Sequence, residues 1–181
     1  MSRRSVIALA AIFATGSLLP SPVAATSPLS DRLEFENETT NMWTANGAWL
    51  EVSRSDKLQE MRRAEKCSAR GGPKPRWRVS DGKLWLVGFH RCIGDLPLVA
   101  IYDDATEQIL ADWVTAELVT NRGPYLCNSG PYGPAVFATT VRLKVEGGVV
   151  RDIARVSNAD HPRVPKERIG DRVPPCLRID K

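Results

Sequence analysis

The cleanest alternation of apolar and polar residues lies between Val136 and Glu146, where Phe137, Thr139, Val141, Leu143 and Val145 fall on one side and Arg142, Lys144 and Glu146 on the other. A period of two predicts a strand with one face in a core and one in water. Gly147-Gly148 then reads as a two-residue hairpin turn into a second strand, Val149 to Ser157, whose Val150, Ala154 and Val156 share a face. A second hairpin is predicted from Arg76 to Cys92, where two runs rich in Trp, Val, Leu and Phe flank Asp81-Gly82. A hairpin is marginal alone, so both must belong to a larger sheet.

Further strands are expected over Ala48 to Ser53, after the Asn46-Gly47 turn, over Leu96 to Tyr102, and over Gln108 to Thr120, the last ended by Asn121-Arg122-Gly123-Pro124. One helix is expected from Asp56 to Ala69, with Asp56 as its cap and Leu58, Met61 and Ala64 on its apolar face. Residues 26–40 are polar and acidic without a sustained period and read as a flexible leader. From Asn158 on, Pro162, Pro165, Pro174 and Pro175 forbid regular structure over most of a Pro-rich tail, whose end Cys176 and Leu177 are expected to dock. The pattern therefore predicts an all-β fold in residues 41–181: one antiparallel barrel or sandwich of about seven or eight strands with one short helix.

The first residues change the picture of where this domain works. Arg3 and Arg4 precede an apolar run from Val6 to Leu19, and Val23-Ala24-Ala25 follows. A positive start, a short apolar centre and small residues are the parts of a secretory signal peptide, with cleavage expected after Ala25. The run is short for a membrane span, so a soluble periplasmic or secreted protein with no integral membrane segment is expected. All four cysteines, Cys67, Cys92, Cys127 and Cys176, lie beyond that point, and an even number in an exported chain reads as disulfides. The favoured pairing is Cys67 with Cys92 and Cys127 with Cys176, because each bond would tie a weakly structured segment to a strand end.

The net charge of +4 is too small to argue for nucleic acid. Its distribution is more informative: residues 26–53 carry five acids and one Arg, and residues 54–78 carry nine bases and three acids. The basic segment can meet an acidic partner or be balanced by the acidic one before it, and the second reading is preferred.

Gly47-Ala48-Trp49-Leu50-Glu51-Val52-Ser53-Arg54 resembles the first-strand motif of lipocalins. The resemblance implies a closed eight-stranded barrel with an apolar pocket, in which Trp49 would plug the barrel base against Arg142 or Arg155. The Thr-Asp-Tyr motif usual in that family does not occur.

Of chemistry-bearing residues, the chain has two histidines, His90 on the key hairpin and His161 in the tail. No phosphate loop, His-x-x-x-His pair or calcium loop is present, and no cofactor or metal is expected. Gly-Pro-Tyr occurs twice between Gly123 and Pro134. Tyr125 and Tyr132 on a Pro-braced loop tied at Cys127, with Trp113 and Arg122, form the candidate recognition surface, because rigid aromatic rings bury area at small entropic cost. Two functions of different classes follow. One is an exported non-enzymatic binding protein, engaging a protein partner as an inhibitor or immunity factor does, or an apolar small molecule in a barrel cavity. The alternative is a small envelope hydrolase using His90 with an acid such as Asp95.

Overall fold

The computed structural model describes residues 29–65, 72–128, 135–166 and 172–178. The expected signal peptide, Cys67 and Tyr132 lie outside them. The described elements are β1 (Asp31–Phe35), β2 (Glu38–Thr44), α1 (Asp56–Ala64), β3 (Lys74–Ser80), β4 (Lys83–His90), β5 (Asp95–Leu96), a 3-10 turn (Leu98–Ala100), β6 (Ile109–Leu110), β7 (Ala116–Cys127), β8 (Val136–Glu146) and β9 (Val149–Ser157). The fold is all-β with one short helix, as the alternation predicts.

The strands close into a ring in the order β3-β1-β2-β7-β8-β9-β4, with β4 returning to β3. Every pair is antiparallel except β1 and β3, which run parallel through Leu33 and Trp77. The seam between β4 and β9 is narrow. Lys83 opposes Val149, and two backbone bonds, Leu84 N–H to Gly148 O and Val150 N–H to Gly82 O, join the tips of the two hairpins. The ring interior is filled by Leu33, Met42, Trp77, Leu84, Leu86, Phe89, Leu118, Val141 and Leu143, with Leu58 of α1 and Leu98 and Ile101 of the 3-10 turn closing one end. It is a packed core.

Both hairpins form where the turn residues place them. Asp81 and Gly82 both take positive φ, 52° and 68°, the backbone a two-residue turn between twisted strands requires. Gly148, at φ 74°, also packs where a Cβ would lie 2.7 Å from Ala111 O, so that tip serves the seam as well as the turn.

Other expectations are corrected. The leader is not loose: residues 31–44 form β1 and β2, because Leu33 and Phe35 alternate into the core while Glu34 is held by Arg76 and Arg78 of the neighbouring strand. Residues 48–53 form no strand and cross the ring's end as a connection. Residues 96–102 are not a strand beyond Leu96; Pro97 starts the 3-10 turn that buries Leu98 and Ile101 three residues apart. Residues 108–120 are two strands, β6 and the start of β7, separated by a turn in which Val114 N–H meets Ala111 O. Asn121-Arg122-Gly123-Pro124 does not end β7. The pairing with β8 shifts there, and Gly123 at φ 74° with Pro124 forms an irregularity inside a long strand, where a missing N–H is tolerated. A similar shift opposite Lys144 and Val145 changes the parity of β9, so Ile153 packs on the core while Ala154 and Val156 face water.

Helix α1 ends at Ala64, short of the expected Ala69, and its cap is Ser55, whose Oγ accepts from Leu58 N–H at 3.4 Å. Cys127 and Cys176 form a disulfide with Cα atoms 4.8 Å apart. Next to it Asn128 and Pro175 pair, and Leu177 N–H meets Arg163 O, so the Pro-rich tail is docked along the end of β7. Cys92 is also disulfide-bonded, and Cys67, its expected partner, lies outside the described residues. No helix among the described residues is long and apolar enough to cross a membrane.

Candidate functional site at the Asp31 end of the ring

Strand β1 carries the chain from one end of the ring, at Asp31, to the other, at Phe35. At the Phe35 end, an open hollow of about 920 Å³ lies between the β1–β2 turn, the β3–β4 turn and the start of β9. Two of its lining carboxylates are held by arginines beside it: Glu36 by Arg122 and Arg155, and Glu38 by Arg122. Both guanidiniums lie over the Phe35 ring, at 5.5 Å and 5.9 Å. Glu34 behaves in the same way. Burial pushes its carboxyl up, and the hydrogen bonds from Arg76 and Arg78 more than reverse this, leaving its pKa below the usual carboxylate value.

The Asp31 end differs. A cleft of about 610 Å³ opens between β1, β3, α1 and the connection 49–54, and Asp31, Trp49 and Leu50 are shared with a smaller pocket of about 250 Å³ that reaches Leu29, Met42 and Trp43. Asp31 is only 5% exposed and accepts a 3.0 Å hydrogen bond from the Trp77 indole N–H. Burial raises its pKa to about 6, opposed by that hydrogen bond and by the charges of Lys74 and Arg62. Lys74, 8% exposed, lays its ammonium 3.7 Å from the centroid of the Trp49 ring. Burial lowers the Lys74 pKa, which Asp31 opposes and Arg62 reinforces. The Arg62 Nε is buried with no hydrogen-bond partner among the described residues.

The connection that carries Trp49 is held in place by side chains from distant parts of the chain. Trp113 donates its indole N–H to Glu51 O at 2.8 Å, Tyr102 donates its hydroxyl to Ser53 O at 2.8 Å, and Ser55 donates to Ile101 O at 2.8 Å. Thr44 Oγ1 closes the Asn46-Gly47 turn by donating to Ala48 O. A segment without secondary structure thereby presents one aromatic ring in a fixed place.

Trp49, which the lipocalin resemblance would make a plug, lines the cleft. It is 66% exposed, and its cationic neighbour is Lys74, whereas Arg142 pairs with Glu117 and Arg155 with Glu36. The tryptophan buried in the ring is Trp77. Of the recognition residues expected from sequence, Trp113 reaches the cleft as an anchor of its wall. Arg122 stands with its two glutamates at the opposite end of the ring. Tyr125 lies on β7, 48% exposed, with its ring centroid 4.3 Å from that of Phe137. Sequence reasoning missed Asp31, Lys74 and Arg62, because a buried aspartate in an acidic stretch has the same sequence signal as a solvated one.

His90 is 1% exposed, and its Nε2 lies 2.7 Å from the Ser30 carbonyl, which requires the proton on Nε2 and leaves Nδ1 as a buried acceptor without a partner. Burial holds its pKa below the usual histidine value, against the Ser30 hydrogen bond. Asp95 opposes His90 across the β4–β5 pair, but its carboxylate contacts Arg76 and Arg32. Among the described residues no group of three His, Cys, Asp or Glu is placed to hold a metal ion.

No protein-family model, curated protein or solved structure matches the chain.

Proposed function

We propose that the protein is an exported, non-enzymatic binding protein of the periplasm or cell exterior, and that it holds a small ligand with apolar surface in the Asp31 cleft. The observation that carries this reading is that Asp31 and Lys74, both buried, and the partly buried Arg62 line a cleft adjoining a second cavity, with Asp31 and Trp49 shared by the two. Perturbed ionisable groups in a cleft beside an apolar pocket are the usual composition of a ligand site. Export is supported by Arg3, Arg4 and the apolar run after them, and by the Cys127–Cys176 disulfide. The hydrolase reading has less support, since His90 and Asp95 are each engaged by another partner.

The test is mass spectrometry of small molecules extracted from the mature protein purified natively from its host. A ligand recovered with the native chain and lost from a folded Trp49→Ala variant supports the reading; a ligand that survives that change places the site elsewhere.

Tyr125 supports a second reading, a protein partner docking on β7, because its ring is half-exposed, backed by Phe137 and two residues from the Cys127–Cys176 bond. In that case Tyr125→Ala weakens capture of a protein from envelope extract and Trp49→Ala does not.

A further inference from the structure

We infer that the cleft takes an amphipathic anion, its head against Lys74 and Arg62 and its apolar body passing over Trp49 into the pocket bounded by Leu29, Met42 and Trp43. The inference rests on the cleft being the ligand site and names the class of ligand it reads.

Asp31 is faced by Lys74 from β3 and Arg62 from α1, while Glu51 and Arg54 stand in water on the rim from the connecting segment and His90 of β4 lies behind Ser30. The rim pair balances, so the inner groups carry one excess positive charge with Asp31 ionised and two with it protonated. Among the described residues no carboxylate lies at ion-pair distance from the Lys74 ammonium, which feels Asp31 at longer range and rests on the Trp49 ring. A buried cation with no carboxylate at contact distance among the described residues, beside a second cation that lines the same cleft, favours an anionic acceptor supplied from outside.

The Arg62 stem packs against Gly72, where a Cβ would lie 2.4 Å from Arg62 Cγ, and Arg62 lines the cleft together with Lys74. On the other side of Trp49 the smaller pocket is lined mainly by apolar side chains. A head group alone would leave that pocket in water, and an apolar molecule alone would leave the cationic groups without an acceptor. A molecule with both parts satisfies both.

An anion entering the cleft favours the protonated carboxyl, which can donate its O–H to the head group, so binding is coupled to proton uptake by Asp31.

The experiment is calorimetric titration of the mature chain at pH 5.5 and pH 8 with three probes: octanoate, octylammonium and acetate. Octanoate should bind at least tenfold more tightly than either of the others, and more tightly at pH 5.5 than at pH 8. Asp31→Asn should flatten that pH dependence, and Lys74→Met should weaken octanoate at least tenfold. Should Lys74→Met fail to fold, Trp49→Ala, at an exposed position, should weaken octanoate in the same direction. Octylammonium binding as tightly as octanoate overturns the anionic class while leaving the cleft as the site, and octanoate binding untouched by both Lys74→Met and Trp49→Ala overturns the site as well. An absence of octanoate binding, alongside a natively bound ligand that Trp49→Ala releases, overturns the class alone.

Discussion

The Trp77 indole N–H donates to Asp31 Oδ2 at 3.0 Å, so the largest side chain in the core of the ring ends on the carboxylate at the floor of the cleft. Trp77 is wholly buried and cannot move without repacking the strands around it, which fixes one oxygen of Asp31 and leaves its charge to be balanced by Lys74 and Arg62. Core packing and cleft electrostatics meet in that one hydrogen bond.

The first prediction concerns pH and stability. The Asp31 carboxyl has a folded pKa of about 6 against an ordinary 3.8, so the folded chain binds the extra proton between those values. Its contribution is fully present below the unfolded pKa and is lost as pH rises through 6, a change of about 3 kcal/mol. His90 acts in the opposite sense: its folded pKa is depressed, so its contribution is present above the unfolded value and lost as pH falls. The Asp31 effect is therefore read as the difference between the parent and Asp31→Asn. Urea denaturation across pH 4 to 8 should show the variant gaining stability relative to the parent as pH rises, while Asn keeps an acceptor for Trp77. A difference independent of pH would contradict the burial of an ionisable Asp31.

The second prediction concerns the wall that carries Trp49. Trp113→Phe removes the indole donor to Glu51 O and keeps most of the apolar contact. The loss should be about 1 kcal/mol of stability, with faster amide exchange in residues 48–53 and weaker ligand binding. Unchanged exchange there would mean that the segment is held without Trp113.

The third prediction tests the seam. Alanine at Gly148 would meet Ala111 O at 2.7 Å in a backbone conformation that side chains disfavour. Gly148→Ala should cost about 2 kcal/mol or more, read as a lower midpoint of unfolding. Gly47, whose Cβ would meet nothing, is the control for positive φ alone. Equal losses at both sites would deny that the seam needs the close approach.

The fourth concerns the tail. The Cys127–Cys176 bond closes a separation of 49 residues, for which loop entropy gives about 4 kcal/mol. Replacing both cysteines by Ser should lower stability on that scale and release residues 172–178 to proteolysis. A tail that stays resistant would show that Asn128, Pro175 and Arg163 hold it unaided.

These positions also show which features the sequence carried openly. The β3–β4 and β8–β9 hairpins were legible because Asp81-Gly82 and Gly147-Gly148 state their turn chemistry locally and the flanking period is two. β1 was not, since its alternation is written in charged residues whose partners, Arg76 and Arg78, lie more than forty residues away. β7 was hidden by Gly123-Pro124, which reads as a break and forms an irregularity inside a strand that β8 continues to pair. For the site, the sequence drew attention to Trp49 and Trp113 but not to the charged groups that stand beside Trp49. Whether an aromatic ring plugs a core or faces a cleft depends on the burial of Lys74 and Asp31, and burial is a property of the closed ring.

If the Asp31 cleft is where this protein meets its ligand, the indole N–H resonances of its five tryptophans report it directly. Trp43 and Trp49 border the cavities, Trp77 touches Asp31, and Trp85 donates to Ser80 O near the opposite end of the ring. With the small-molecule fraction of the host's envelope extract added to the mature chain, the account predicts shifts of the Trp43, Trp49 and Trp77 signals while Trp85 stays still. A bound chain in which Trp85 shifts and Trp49 does not would contradict it.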